Sequence, residues 1–432
     1  MSRDTFNILI LGGSFAGLSV AHQFLANVRP LLSQAPGAPD YRVVLVSPST
    51  HIYWNIGAPR ALVSADLVPI PRSFVNVEAG FKQYSFQDLL FVQGEATGLD
   101  AAERTVTVSC YNVQASIHSI PYHALVIATG SSSNSPLFSL HGPHERTMHA
   151  LADFHTRLHT ARSVLIVGGG PSGCETAGQM MQHFNRLAKE EQARMQPPSL
   201  SPYRTITLLS GGERLLPRLP ESVARKAERQ LKGLGVHVVH SLRLVAAKDD
   251  PDDGRINCYL SNEDMVTVDA YVLATGVLPN TNWLPHVLLD GFRYVATDPQ
   301  TLRVRGDDAG ERVYAVGDCA SYSKNYVLDV YEAVPVLVHN LRNDLLAHEM
   351  RMLRGREGGA SEEEINLMED AGYMQNPTET QLLPITKRGG VGVVFDFKLP
   401  SFMVWVMKGR NYRVGKAKSV VHRGKDPYAD PV

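Results

Sequence analysis

Apolar residues along this chain gather into short runs that close on glycine and give way to helical periodicity. The first, Asn7-Ile8-Leu9-Ile10-Leu11, stops at Gly12; another, Ser163-Val164-Leu165-Ile166-Val167, stops at Gly168. A strand-sized apolar run followed by an amphipathic stretch is the pattern of a βαβ unit in a parallel sheet. Two further runs nearly duplicate each other, Ala124-Leu125-Val126-Ile127-Ala128-Thr129-Gly130 and Ala270-Tyr271-Val272-Leu273-Ala274-Thr275-Gly276. Val313-Tyr314-Ala315-Val316 then ends in Gly317-Asp318-Cys319-Ala320. The predicted class is α/β, with two Rossmann-like domains and a small C-terminal α+β segment.

Two insertions interrupt the pattern. Ser33 to Asp40 is Pro- and Gly-rich, Glu190 to Pro202 carries three prolines, and both read as surface loops. Gly355 to Glu364 reads as a linker or mobile loop. Behind it, strand-like runs are expected at Val391 to Phe397 and Phe402 to Met407. The expected boundaries are 1–155 with 285–345 for a discontinuous first domain, 156–284 for the second and 346–432 for the third.

At 432 residues the chain can bury several cores. Its 44% hydrophobic and 20% charged residues, with a net charge of -1, give no global sign of a nucleic-acid partner. The apolar runs are strand-sized, so no membrane-spanning helix is expected. The start shows no signal-peptide layout, and Met1-Ser2-Arg3 lacks the glycine that myristoylation needs, which favours the cytoplasmic side. Cys110, Cys174, Cys258 and Cys319 form no CxxC or CxxxxC pair. That scatter suits a reducing compartment and argues against a disulfide relay; no metal site is expected either.

Gly12-Gly13-Ser14-Phe15-Ala16-Gly17 follows a strand and opens a helix, as a dinucleotide fingerprint must. Such glycines allow a tight turn that sets a pyrophosphate on free N–H groups at a helix N-terminus. Ser14 stands where the fingerprint has its middle glycine, so this motif alone fits an ordinary strand–turn–helix equally well. Gly168-Gly169-Gly170-Pro171-Ser172-Gly173 matches in full through Gly168, Gly170 and Gly173. Two such turns, each in its own βαβ setting, point to an enzyme with two dinucleotides.

Taken together, GGSFAG, the two ATG strands, GGGPSGCE and YAVGDCA resemble the two-dinucleotide-binding flavoproteins related to glutathione reductase. Within them the chain is most similar to the branch of type II NADH dehydrogenases and apoptosis-inducing-factor-like, ferroptosis-suppressor-like proteins, including fungal members. The resemblance spans roughly Asn7 to Gly424. It implies a glutathione-reductase-like FAD/NAD(P) fold, with FAD in the first cradle and NADPH or NADH in the second. Gly12 to Gly17 would hold the FAD pyrophosphate, with Thr129 and Gly130 beside it. Asp318 would hydrogen-bond the ribityl or pyrophosphate part, although an Asp there also serves as a helix cap. Val92 would meet the adenine through its backbone. Asn55 and Arg60 match a loop near the flavin, where Arg60 also reads as a surface charge. Ser47 stands where the family places an acidic ribose ligand, and a serine can make one such bond.

In the second cradle, Glu175 falls where the family puts a charged residue near the nicotinamide; as a helix residue it could equally be solvated. Ser210 occupies the position of the acid that binds a 2′-hydroxyl and repels a 2′-phosphate. With Ser210 neutral and Arg214 nearby, the expectation leans to NADPH, or to both nucleotides. Gly276, closing the second ATG strand, completes the nucleotide set. Residues 1–109 contain no cysteine, so dithiol and thiol-peroxidase chemistry drop out. Electrons must then pass from the flavin to a quinone, to oxygen or to an organic substrate. Phe397 to Lys425 carries eight Lys or Arg and no acid, with Phe402, Trp405 and Tyr412 interleaved. Such a face at 398–425 suits peripheral docking on an anionic membrane, mitochondrial if the resemblance extends so far; a solvated face is the alternative. The favoured function is an NAD(P)H:quinone-type oxidoreductase. The competing ones are a flavin-dependent tailoring oxidase of a small natural product and an apoptosis-inducing-factor-like nucleic-acid binder, the last disfavoured by global charge.

Overall fold

The computed structural model describes residues 4–111, 116–194 and 204–429. Met1-Ser2-Arg3 and most of the proline-rich insertion before Pro202 lie outside them. The chain opens with β1 (Thr5–Leu11), α1 (Phe15–Gln23) and β2 (Asp40–Ser47). The hairpin-like pair β3 (His51–Tyr53) and β4 (Phe74–Asn76) brackets the short α2 (Ala58–Ala61). Then come β5 (Leu89–Asp100), β6 (Thr105–Cys110), β7 (Ile117–Pro121), β8 (Ala124–Ile127) and β9 (Ser131–Ser133). The second half runs α3 (His144–Thr160), β10 (Ser163–Val167), α4 (Pro171–Arg194), β11 (Thr205–Leu209), α5 (Glu221–Leu234) and β12 (Val236–Val239). It continues through β13 (Leu244–Asp249), β14 (Ile256–Leu260), β15 (Met265–Val268), β16 (Ala270–Leu273) and β17 (Val277–Pro279). After β18 (Val313–Ala315) and α6 (Val327–Met352) the chain ends in α7 (Glu362–Ile365), β19 (Gln381–Thr386), β20 (Gly389–Val394), β21 (Phe397–Lys398), α8 (Ser401–Val404) and α9 (Ala417–Arg423).

The first sheet has the order β18-β8-β1-β2-β5-β6-β7, with β18, β8, β1, β2 and β5 parallel. The second, β12-β11-β10-β16, is wholly parallel. Strands buried on both faces read as unbroken apolar runs, which is why Ile8 to Leu11 and Val164 to Val167 carried so clear a signal. One core joins the first sheet to α1 and α6, and a second joins the other sheet to the hairpin β19–β20 through Leu383, Ile385, Val391 and Val393. The C-terminal hairpin therefore shares the core of the second nucleotide domain. Gly178 in α4 makes that possible, because a Cβ there would lie 2.1 Å from the Ile385 carbonyl oxygen.

Several expectations need correction. Phe402 to Met407 is helical, as α8 and a following π turn Trp405–Gly409. Pro400 has no N–H to extend β21, and of Phe402 to Val406 only Val404 is buried, so the alternation a strand needs is missing. The strand that carries Val92 does not stop there: β5 runs on to Asp100, pairing with β6 from Gly94 opposite Cys110. Glu190 to Arg194 continues α4. Gly355 to Glu364 is not a free linker, since Ser361 and Glu364 form a capping box and Glu362 receives Arg351 and Arg354 at 3.0 and 2.8 Å.

Candidate functional site

The two glycine turns are built alike at their first, second and last glycines. Gly12 and Gly168 have φ of +119° and +126°, and a Cβ on either would lie 2.1 Å from a carbonyl oxygen, Ala128 in one case and Ala274 in the other. Those are the alanines of the two ATG strands. Gly17 and Gly173 close the turns, where a Cβ would fall 1.8 and 1.9 Å from the carbonyls of Gly12 and Gly168. Gly13 packs on Ser47, and Gly169 on Ser210, in the same way. At the middle position the copies differ: Gly170 faces open space, whereas Ser14 is an exposed side chain. Ser14 precedes α1 but makes no side-chain cap bond, so the first-turn donors of Phe15, Ala16 and Gly17 keep no intramolecular cap. A turn closed to any Cβ at its first and last glycines, open at its middle position and followed by uncapped helix donors, fits a pyrophosphate.

The strand-end serines are both buried and bonded within their own turns. Ser47 is buried, and its hydroxyl donates to the Ser49 carbonyl at 2.9 Å. Ser210 is buried as well, directed at the carbonyls of Gly212 and Arg214, both 3.1 Å away. Both hold their turns closed. Arg214 is likewise committed, donating to the carbonyls of Leu219 at 3.0 Å and Pro217 at 2.5 Å. Beside this turn stands a residue that sequence reasoning missed. The exposed Arg243 lies along Gly211, where a Cβ would sit 3.2 Å from its Cγ and Nε, and its guanidinium makes no ion pair or side-chain hydrogen bond among the described residues. It comes from the loop after β12, adjacent only through strand order, so no local motif marks it.

Asp318 is brought to the first cradle, since a Cβ on neighbouring Gly317 would lie 3.1 Å from the Ala16 Cβ. Its carboxylate accepts from Ser131 Oγ at 3.0 Å, and burial pushes its pKa up. Ser131 begins β9, which pairs antiparallel with β17. These are the two segments that leave the ATG strands, and they are laced by Thr129 Oγ1 to the Asn280 carbonyl at 2.9 Å and Asn280 Nδ2 to the Thr129 carbonyl at 3.0 Å. Thr129, Gly130 and Gly276 thus lie where the chain leaves the two parallel sheets for the β9–β17 pair. A cavity of about 380 Å³ opens at Gly12 and Thr129, lined also by Gly94, Glu95, Arg146 and Trp283. Val92, half-buried and paired with Val46, does not line this cavity; β5 reaches it through Gly94 to Ala96.

A polar cluster lies under the C-terminal segment. Glu175 is 2% exposed and its Oε1 receives Lys408 Nζ at 2.7 Å. Burial raises the Glu175 pKa, outweighing the opposing pull of Lys408, Tyr412 and Arg60. Arg60 is buried too; Nε donates to Gln179 Oε1 at 2.9 Å and the guanidinium stacks 4.5 Å from the Tyr412 ring centroid. Trp54, tilted 5.5 Å from Phe15, donates to the Tyr412 carbonyl at 2.8 Å. The contacts Phe15–Trp54–Tyr412 therefore link the first cradle to Glu175. Neither a solvated Glu175 nor a surface Arg60 describes what is observed, and Asn55 stays exposed. Arg413 is also buried, so the basic run is partly interior. All four cysteines are free and buried, and burial raises the Cys174 and Cys319 thiols above their ordinary pKa.

Comparison with known proteins agrees with this architecture. Residues 6–340 match the family described as pyridine nucleotide-disulphide oxidoreductase. The chain is 35% identical over 412 residues to "Oxidoreductase phnG" of Penicillium herquei, covering 94% of this chain and 93% of that protein. It is 22% identical over 422 residues to human ferroptosis suppressor protein 1, covering 95% and 94%. Among solved structures, the ferredoxin reductase for the CYP199A2 system of Rhodopseudomonas palustris superposes with a TM-score of 0.58 at 17% identity, over 78% of this chain and 76% of that one. Members of the family bind FAD and NAD(P)H.

Proposed function

The chain belongs to the pyridine nucleotide-disulphide oxidoreductase family, and on that footing we propose that it takes hydride from NAD(P)H and passes the electrons, without a redox disulfide, to a quinone-type acceptor. The observation that carries this reading is the isolation of every thiol. Cys174 and Cys319 stand beside the cradles, yet each is buried and bonded toward a backbone carbonyl, Gly169 and Ile127 respectively. Neither has a second cysteine as partner, and burial keeps both protonated.

Bound FAD supplies the two-electron carrier between nicotinamide and acceptor. The residues of the chain position and shield. Gly12 to Gly17 and Gly168 to Gly173 present backbone donors to the two pyrophosphates, and Asp318 orients the first nucleotide from the end of β18. Glu175, fixed by Lys408, sets a charged wall where the nicotinamide half would lie. Trp54 and Tyr412 exclude water between that wall and Phe15. NADPH is the donor we assign, because no carboxylate guards Ser210 and the unpaired Arg243 stands at the mouth of the turn. The exposed Phe397, Phe402 and Trp405, beside Lys398 and Arg410, provide the face on which the protein would meet an anionic membrane and its quinone. The test is anaerobic mixing of the flavin-loaded protein with NADH or NADPH, then reoxidation by ubiquinone analogues, menadione or air. A flavin that neither nucleotide bleaches overturns the scheme.

A further inference from the structure

A second cavity, of about 970 Å³, shares no lining residue with the one at Gly12. It opens where α2, α4, the β19–β20 turn and the chain after Gly409 meet. Seven of its lining residues are Lys or Arg and two are carboxylates. Glu190 is engaged by Arg186 at 3.1 Å. Asp66 is then left facing Arg72, Lys189, Lys387, Arg388 and Arg410, whose side chains make no ion pair or hydrogen bond among the described residues. His183 adds no charge at neutral pH, its pKa being lowered to about 4 by burial and by Arg186. In a chain of net charge -1 such an excess is a local construction. Cations left unpaired around a concave, partly dry surface focus a positive potential into it.

The back wall is built with equal specificity. Arg60 is 4% exposed. Its Nε is held by Gln179 and its Nη1 reaches the Arg410 carbonyl at 3.3 Å, while the buried Nη2 has no hydrogen-bond partner. A buried guanidinium N–H with no acceptor is costly unless something supplies one. Beside the amides of Gln179, Gln182, Asn185 and Asn411, the wall has an apolar part formed by Leu67, Val68, Pro69, Leu234 and Val414. A bare inorganic anion would use the cations and leave this surface wet.

We propose that this cleft is a binding site for an acidic aromatic molecule, whose carboxylate is received by Arg60 and the rim cations and whose ring body lies on Leu67, Val68 and Val414. Charge-assisted hydrogen bonds supply orientation and the apolar floor supplies area. The site is separate from both glycine cradles, so it does not depend on which acceptor the flavin reduces.

The test is calorimetry on the FAD-loaded protein with NADP+ at saturation, so that both cradles are filled. The probes are 1-naphthoate, its neutral isostere 1-naphthamide and inorganic phosphate. The expected result is saturable naphthoate binding, about tenfold tighter than either control. The double charge reversal Lys387→Glu/Arg388→Glu, confined to an exposed turn, should weaken naphthoate by about tenfold. Three results each overturn the proposal: no saturable naphthoate binding, a control that binds as tightly, or a double variant that binds like the parent.

Discussion

Lys408 Nζ sits 2.7 Å from Glu175 Oε1 across 233 residues of sequence, pinning the C-terminal segment to the second glycine helix. Glu175 is buried, so its charge in the folded protein depends on that ammonium. Lys408→Met should therefore cost about 3–5 kcal/mol, the usual result of leaving one partner of a buried pair alone. The loss should depend on pH. The folded pKa of Glu175 already lies above its ordinary value, so its contribution to stability falls as pH rises from about 4.5 to that value and is flat beyond it. Removing Lys408 pushes the folded value higher and lengthens the decline. Urea unfolding should show a small deficit at pH 5 and a larger one at pH 8, reduced in Glu175→Gln/Lys408→Met. A deficit equal at both pH values would rule out the ion pair as its cause.

The glycine turns make a sharper contrast. In Gly17→Ala the new Cβ would meet the Gly12 carbonyl oxygen at 1.8 Å, with no flexible group to yield. FAD should be lost from the purified protein, read as the fall in its yellow flavin absorbance relative to the protein absorbance. Ser14→Gly removes an exposed side chain that makes no cap bond, and flavin content should stay at the parent level or rise. A Ser14→Gly protein that purifies colourless would show that the serine is itself a ligand.

These turns also show how much the sequence disclosed. Gly12, Gly17, Gly168, Gly173 and the ATG strands were legible because each solves a local steric problem, and local problems leave local motifs. The parallel sheets were legible because strands covered on both faces read as apolar runs. What stayed hidden depends on contacts between distant segments. The environment of Glu175 is set by Lys408 and Tyr412, and the freedom of Arg243 depends on Arg214 being occupied by carbonyls five and three residues ahead of it. Phe402 to Met407 misled for another reason: its residues have strand-like propensities, and exposure of most of them left no periodicity to separate strand from helix.

Arg243 gives the cofactor prediction. With Ser210 buried and Arg214 bound to its own turn, the cation free to meet a 2′-phosphate is Arg243. Arg243→Glu should lower kcat/KM for NADPH by about a hundredfold while changing that for NADH by less than about threefold. Arg214→Ala, by contrast, should lower Tm and affect both nucleotides alike. Equal effects of Arg243→Glu on the two would remove it as the discriminating residue.

Electron transfer without a disulfide predicts that thiols are dispensable. Cys174→Ala and Cys319→Ala each remove a buried sulfur, at a cost of about 1 kcal/mol of stability, within the usual range for a small truncation. Quinone-dependent turnover should stay within about twofold of the parent. Iodoacetamide should leave the native enzyme active, because none of the four thiols is exposed. Turnover abolished by either substitution, with flavin content kept, would restore a thiol to the electron path.

The membrane reading makes the last prediction. Phe397 is 77% exposed, Phe402 64% and Trp405 37%, an apolar group with Lys398 and Arg410 close in sequence. No described helix is long and apolar enough to cross a bilayer. Aromatic insertion and attraction to anionic lipid are individually weak and add when both are present. Sedimentation with vesicles containing phosphatidylserine should pull down the parent more than neutral phosphatidylcholine does, and less as salt rises. Phe402→Asp/Trp405→Asp should weaken that partition by about tenfold while leaving turnover with menadione, which has no isoprenoid tail to hold it in a bilayer, near the parent value. A double variant that still sediments as the parent does would assign these aromatics to a protein partner or to solvent, and the quinone would then have to reach the flavin from water.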